Sequence, residues 1–186
     1  MRIVGGSLRG RAIASPDHEG LRPTSDRVRE AAFNILAHGI EDFDLAGVRV
    51  LDLFAGTGAM GIEAISRGAA YCLFVEQDAD ARGLIRQNIE AFGLTGVTRI
   101  FRRDATTIGP AGRGNAFGLV FCDPPYGQGL GEKAFAAAAK GGWLEPGAIV
   151  LLEERENAAI TLPARFAEID RRTWGQTQMV FARYEV

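Results

Sequence analysis

The sequence predicts an α/β protein built on a mostly parallel, doubly wound sheet that finishes in an antiparallel C-terminal edge hairpin. Three observations carry that prediction. Apolar runs of strand length alternate with helix-period segments from Val48 onward. A glycine turn, Gly56-Thr57-Gly58, follows the first of those runs. The last two strand-like segments lie too close together for a helical crossover, so they pair antiparallel. Alternation of this kind gives right-handed crossovers between parallel strands. With 186 residues, 47% of them hydrophobic, the chain is long enough for one well-buried core and short for two full domains.

Taken in order, residues 2–14 alternate weakly and contain Gly5, Gly6 and Gly10, which fits a short hairpin, and residues 15–23 read as an exposed loop. Val28, Ala31, Ala32, Ile35 and Leu36 form one apolar stripe, predicting a helix over 26–37 that packs on the sheet and turns Arg27 and Glu30 elsewhere. Strands are expected near 48–54, 71–76, 97–102, 117–122 and 147–153, with helices near 59–67, 78–92 and 130–140. Asp78 suits an N-cap and Gly93 a C-terminal stop. Residues 165–172 and 176–184 make the edge hairpin around Trp174-Gly175, and both Trp143 and Trp174 read as packing residues. The division is therefore an N-terminal extension over 1–40 and a main domain over 41–186.

Composition excludes several classes. No apolar run reaches membrane-spanning length, and the opening Met1-Arg2-Ile3-Val4-Gly5-Gly6 lacks the apolar core of a secretion signal, so a cytoplasmic location and no membrane partner are expected. Cys72 and Cys122 fall inside predicted strands and read as buried thiols, and with only His18 and His38 besides, no metal site is expected. The net charge of −2 carries no global nucleic-acid signature. Residues 1–30 nevertheless hold six arginines, Arg2, Arg9, Arg11, Arg22, Arg27 and Arg29, against four acids. That patch suits either phosphate or ordinary solvation.

Two runs carry chemistry. Asp52-Leu53-Phe54-Ala55-Gly56-Thr57-Gly58 follows one buried strand, and Asp123-Pro124-Pro125-Tyr126 follows another, so both lie at carboxyl ends of strands, where open α/β sheets bind ligands. Gly56 to Gly61 matches GxGxxG, and Glu76 ends the next strand, where an acid accepts hydrogen bonds from ribose hydroxyls. A dinucleotide would satisfy that much. Asp52 beside the loop suits the ammonium end of S-adenosylmethionine and would repel a pyrophosphate. Asp104, followed by Ala105, sits where an acid accepts from an adenine amine, although a loop-capping role suits it equally when it is taken alone. The acids Asp52, Glu76, Asp104 and Asp123 stand at or near four successive strand ends.

In the second run, a carboxylate and the Pro124 carbonyl are acceptors for the N–H groups of an exocyclic amine, favouring the pyramidal nitrogen that attacks a methyl group. The prolines stiffen the turn, and Tyr126 offers a face on which a base stacks. Asp-Pro-Pro is also a common turn sequence; its place after the fourth strand of a sheet whose first strand carries the glycine loop favours methyl transfer to an amine on a planar ring.

The segments Arg2 to Gly6, Arg9-Gly10-Arg11, Leu21 to Glu30, the Asp52 to Gly61 loop with Glu63-Ala64, Asp123 to Tyr126 and Gly175-Gln176-Thr177 together resemble the RsmD-type 16S ribosomal RNA (guanine-N2)-methyltransferases. The resemblance spans nearly the whole chain, and its arginine block is more selective than its cofactor loop. It implies a Rossmann-like S-adenosylmethionine-dependent methyltransferase fold. The expected substrate is one guanine of 16S rRNA, within an assembled or assembling small subunit, and the enzyme is expected to be a monomer. It also implies RNA contacts from Arg2, Arg9, Arg11, Arg22, Thr24 and Arg27. Some relatives carry Phe at the position of Tyr126, implying that the ring face outweighs the hydroxyl. Adenine-N6 methylation of DNA is the alternative, since such enzymes use the same acceptor tetrapeptide; a dinucleotide-binding oxidoreductase or regulatory domain would leave that turn unexplained.

Overall fold

A computed structural model describes residues 1–16 and 25–186. Its strands are β1 (Arg49–Leu53), β2 (Tyr71–Val75), β3 (Thr98–Phe101), β4 (Phe117–Cys122), β5 (Leu144–Arg155), β6 (Phe166–Trp174) and β7 (Thr177–Tyr184). Its α-helices are α1 (Asp26–His38), α2 (Ala59–Ser66), α3 (Ala79–Ala91) and α4 (Leu130–Gly141). The strands form one sheet in the order β3-β2-β1-β4-β5-β7-β6. β1 to β5 pair in parallel, and β7 runs antiparallel to both of its neighbours. The expected doubly wound sheet with an edge hairpin is therefore what forms. The strand order reverses between β1 and β4, which opens a crevice at their carboxyl ends.

Strand alternation sorts the core into two layers. Val50, Phe74, Leu119, Phe121 and Leu151 face α1, α2 and α3. Leu51, Leu53, Val75, Val120 and Leu152 face α4 and a 3-10 turn over Ala105–Thr107. By the same parity Asp52, Asp123 and Glu153 fall on the α2 side, at the ends of the adjacent strands β1, β4 and β5. Asp78 caps α3 by accepting from Ala81 N at 2.8 Å, and Gly93 leaves the helix with φ +68. Trp143 packs among core aromatics and donates from Nε1 to Gly109 O, while half-buried Trp174 lies against the other layer. Both cysteines are buried free thiols.

Two elements differ from expectation. β5 starts at Leu144 because Leu144 pairs with Phe117 ahead of a register shift; Pro146 cannot donate to the ladder and Gly147 takes φ +80. α1 buries Arg29, Ala32, Phe33 and Leu36, with Val28, Ala31 and Ile35 only partly covered. The helix is turned toward Phe33, which meets Phe121 ring to ring and lies beneath the Arg67 guanidinium. The N-terminal residues 2–14 form a hairpin with a single antiparallel bridge, Arg2 to Ala12, closed by Ile3 N to Arg11 O and Gly10 N to Ile3 O. Ile3 and Ile13 enter the same core as α1, so this segment packs on the main body of the protein.

Candidate active site

A groove of about 1260 Å³ opens along the carboxyl ends of β1, β2 and β4. A single small ligand fills a pocket of roughly 300–1,000 Å³, so the groove has room for two reactants side by side. It is lined by Asp52, Phe54, Ala55, Gly56 and Thr57, by Glu76 and Ala105, and by Asp123, Pro124, Pro125 and Tyr126. The structure thus brings together the two runs that the sequence singled out.

The glycine loop leaves β1 through Phe54, at φ +55, and Gly56, at φ +58. A non-glycine residue held there stores about 1–3 kcal/mol of backbone strain. A Cβ placed on Gly56 would meet no protein atom, so the space that this glycine leaves belongs to the groove. On Gly61 a Cβ would stand 2.5 Å from Cys72 Sγ and from the Phe74 ring; that glycine lets α2 approach the sheet. Gly58 packs closely on Phe74, Ile62 and Ile85 and takes φ +80. This glycine of the loop also lets α2 start close to the sheet.

The carboxylates are arranged individually. Asp52 Oδ2 accepts from Gly61 N at 3.1 Å, and burial raises its pKa well above the usual carboxyl value, with Glu76 adding to the rise and the Gly61 bond opposing it. A cation delivered to this carboxyl would restore its charge. Glu76 accepts from Gly56 N at 2.9 Å through Oε2 and from Asp78 N at 3.1 Å through Oε1, so it holds the glycine loop while each oxygen keeps a lone pair for a hydroxyl donor. Asp104 is placed differently. Its Oδ1 caps the 3-10 turn by accepting from Thr106 N at 2.8 Å and Thr106 Oγ1 at 2.7 Å, and it does not line the groove, whereas Arg103 and Ala105 do.

Asp123 faces the groove, and its backbone N–H reaches Leu53 O at 3.4 Å. Its pKa is raised by burial, then by the charges of Glu153, Asp52 and Glu154. Tyr126 donates its hydroxyl to Glu153 Oε1 at 2.7 Å and lies 3.3 Å from Thr177 Oγ1; burial first, and then the adjoining carboxylates, raise the phenol further. Glu154 Oε1 accepts from Gly127 N at 3.0 Å. Sequence reasoning missed Glu153 and Glu154, which stand behind the acceptor turn, and it missed Met1, Pro16, Arg103 and Arg155, which line the groove. A parity count from Leu151 would have placed Glu153 beside Asp123.

The arginine block divides. Arg29 is fully buried against Glu63. Arg2 donates to Gly10 O at 2.7 Å, closing the hairpin. Arg11 donates to Ala91 O at 2.8 Å and lies over the Phe92 ring. Arg9 and Arg27 are exposed. Arg22, Thr24 and His18 lie outside the described residues.

Comparison with known proteins bears on the family and the fold. A family model described as conserved hypothetical protein 95 matches residues 1–183. The ribosomal RNA small subunit methyltransferase D of Escherichia coli (strain K12) is 38% identical over 177 residues, 95% of this chain and 86% of that protein. Among solved structures, yhhF from Escherichia coli, described as a candidate methyltransferase, superposes with a TM-score of 0.85 at 35% identity over 100% of this chain and 98% of that one. An RNA methyltransferase from Salinibacter ruber, solved with S-adenosyl-L-homocysteine, gives 0.65 over 88% of this chain and 94% of that one; at 16% identity this likeness speaks to the fold alone.

Proposed function

The chain belongs to the family described as conserved hypothetical protein 95, and from its groove and its likeness to a ribosomal RNA small subunit methyltransferase D we propose that it transfers a methyl group from S-adenosylmethionine to the exocyclic N2 of a guanine in 16S ribosomal RNA. One observation carries the reading: the Asp123 to Tyr126 turn and the glycine loop open into a single groove from adjacent strands. When bound, S-adenosylmethionine would supply an electrophilic methyl on a sulfonium, whose sulfur leaves as a neutral thioether when the C–S bond breaks. The residues present fit that cofactor, because Gly56 leaves open space in the groove and Asp52 and Glu76 line it with carboxylates.

The protein's part is to hold and orient. Asp52 would take the ammonium end, Glu76 the ribose hydroxyls, and the segment at Ala105 the adenine. Asp104 acts there at most through its free oxygen. The Asp123 carboxylate and the Pro124 carbonyl accept from the guanine amine, and the carboxylate stabilises the positive charge that develops on nitrogen. Tyr126 stacks on the base, which leaves its RNA surroundings to enter the groove.

Residues 1–40 form the RNA-contacting extension in this reading, with Arg9, Arg11 and Arg27, and beyond the described residues Arg22 and Thr24, meeting phosphate. Arg2 contributes by closing the hairpin. The enzyme acts as a cytoplasmic monomer on the small subunit or its rRNA. No helix among the described residues is long and apolar enough to cross a membrane. The test offers labelled S-adenosylmethionine with naked 16S rRNA, assembled small subunits or duplex DNA, and identifies the product nucleoside by mass spectrometry. N2-methylguanine in the rRNA is expected; N6-methyladenine in DNA would contradict the reading.

A further inference from the structure

The Gly175-Gln176-Thr177 turn at the far end of the sheet is not absorbed by methyl transfer as described so far. Resting on that reading of the groove, we propose that Glu153 and Thr177 are positioning residues of the acceptor site, which hold the Tyr126 hydroxyl so that its ring stands as a fixed stacking face.

The contacts are specific. Tyr126 has one hydroxyl proton, and the 2.7 Å bond to Glu153 Oε1 uses it. Thr177 Oγ1, at 3.3 Å, is then the donor to the Tyr126 oxygen. Glu153 pairs with Met179 across the β5–β7 ladder and is buried. Its neighbour Glu154 accepts Gly127 N, which pins the backbone just after the tyrosine. Gln178 Nε2 donates to Arg155 O at 2.8 Å and to Ala158 O at 2.9 Å, fixing the chain as it leaves β5. The acceptor turn is therefore gripped at ring and backbone by β5, and β5 is braced by the edge hairpin. A ring ordered in advance spares the ordering of a side chain when the base arrives.

Single-turnover methylation at saturating cofactor tests this, at a pH high enough to ionise Asp123. Glu153→Ala and Tyr126→Phe are each expected to slow transfer by about tenfold, and the double variant to be no slower than the slower single, because both remove one interaction. Thr177→Val should lose about threefold or less on the same scale. Glu153→Gln keeps an oxygen that accepts the same bond and should recover transfer to within about threefold of wild type. Cofactor affinity stays unchanged throughout. Wild-type transfer by Glu153→Ala, multiplying losses in the double variant, or a Gln variant no better than Ala would each overturn the proposal. A double-mutant cycle on denaturant stability reads the Glu153–Tyr126 coupling with no substrate present. A wild-type protein that methylates nothing would sink the proposed function, whereas additive stability losses in that cycle would sink this inference.

Discussion

The Arg29 guanidinium and the Glu63 carboxylate meet at 3.3 Å between Nε and Oε2, with both side chains sealed from solvent. Glu63 also accepts from Val4 N at 3.0 Å, Gly5 N at 2.9 Å and Arg67 Nε at 2.9 Å. Arg29 further donates to Asp26 Oδ1 and to Arg2 O. One ion pair thus ties the N-terminal hairpin, α1 and α2 together.

Removing Arg29 leaves Glu63 with Arg67 and two backbone donors, and removing Glu63 leaves Arg29 with Asp26, so each loss is that of charge-assisted hydrogen bonds, about 1.5–3 kcal/mol. Arg29→Ala and Glu63→Ala should each lower the unfolding free energy by about that amount, as read from denaturant titration. Wild-type stability in both variants would mean that the cluster is dispensable. An arginine acting only as an RNA contact would lower RNA affinity with no stability loss.

In the proposed reading Glu76→Ala removes a ribose acceptor, and it leaves Gly56 N without its Glu76 partner. Loss of a hydrogen bond to a charged group is worth about 1–3 kcal/mol, so affinity for S-adenosylmethionine should fall by roughly 5- to 150-fold in calorimetry. An unchanged affinity would remove Glu76 from the cofactor site. Saturable NAD binding with no heat from S-adenosylmethionine would return the protein to the oxidoreductase alternative.

The hairpin arginines separate by their contacts. Arg9→Ala should weaken RNA binding and reduce the slope of log affinity against log salt by about one, without loss of stability. Arg11→Ala should do the same and also lower the melting temperature, because its guanidinium ties the hairpin to the end of α3. Wild-type salt dependence with Arg9 and Arg11 both replaced by alanine would make the patch an ordinary solvated surface.

Burial raises the pKa of both Asp52 and Asp123. A carboxyl with a raised folded-state pKa gives stability that is complete below the unfolded value of about 3.9 and is lost as pH rises through the folded value. The contribution of these two carboxyls to the stability of the cofactor-free protein should therefore fall upward from about pH 4 across that window, as read against Asp52→Asn and Asp123→Asn. An ammonium beside Asp52 favours the ionised form, so cofactor binding should release a proton and tighten with rising pH within the same window. Calorimetry in buffers of different ionisation heat detects the release. Binding without proton exchange would place the ammonium elsewhere.

The parts that were legible in the sequence are those where local pattern and tertiary role coincide. Val50 to Leu53 and Phe117 to Cys122 read as buried strands because both faces of a central parallel strand are covered. The Gly56 loop and the Asp123 turn were legible because their residue types serve backbone geometry and chemistry at once. Arg29 was not, since a cation on a helix reads as solvated until Glu63, 34 residues later in the chain, folds against it. Glu153-Glu154 likewise reads as the polar end of a strand; its burial arises only when β7 pairs beside it and Tyr126 returns over it. Asp104 had two uses of equal merit, and the nearby Thr106 N–H, which needs a cap, supplies the one seen here.

Asp123→Ala tests the central claim most directly. Removing the carboxylate that polarises the amine should slow single-turnover methyl transfer by about two to three orders of magnitude, the cost of one lost electrostatic stabiliser. The melting temperature at neutral pH should hold or rise, because a buried carboxyl crowded by Glu153, Asp52 and Glu154 is relieved, and cofactor affinity should persist. Near-wild-type transfer by a folded, cofactor-binding Asp123→Ala protein would contradict the mechanism and leave Asp123-Pro124-Pro125-Tyr126 as a structural turn.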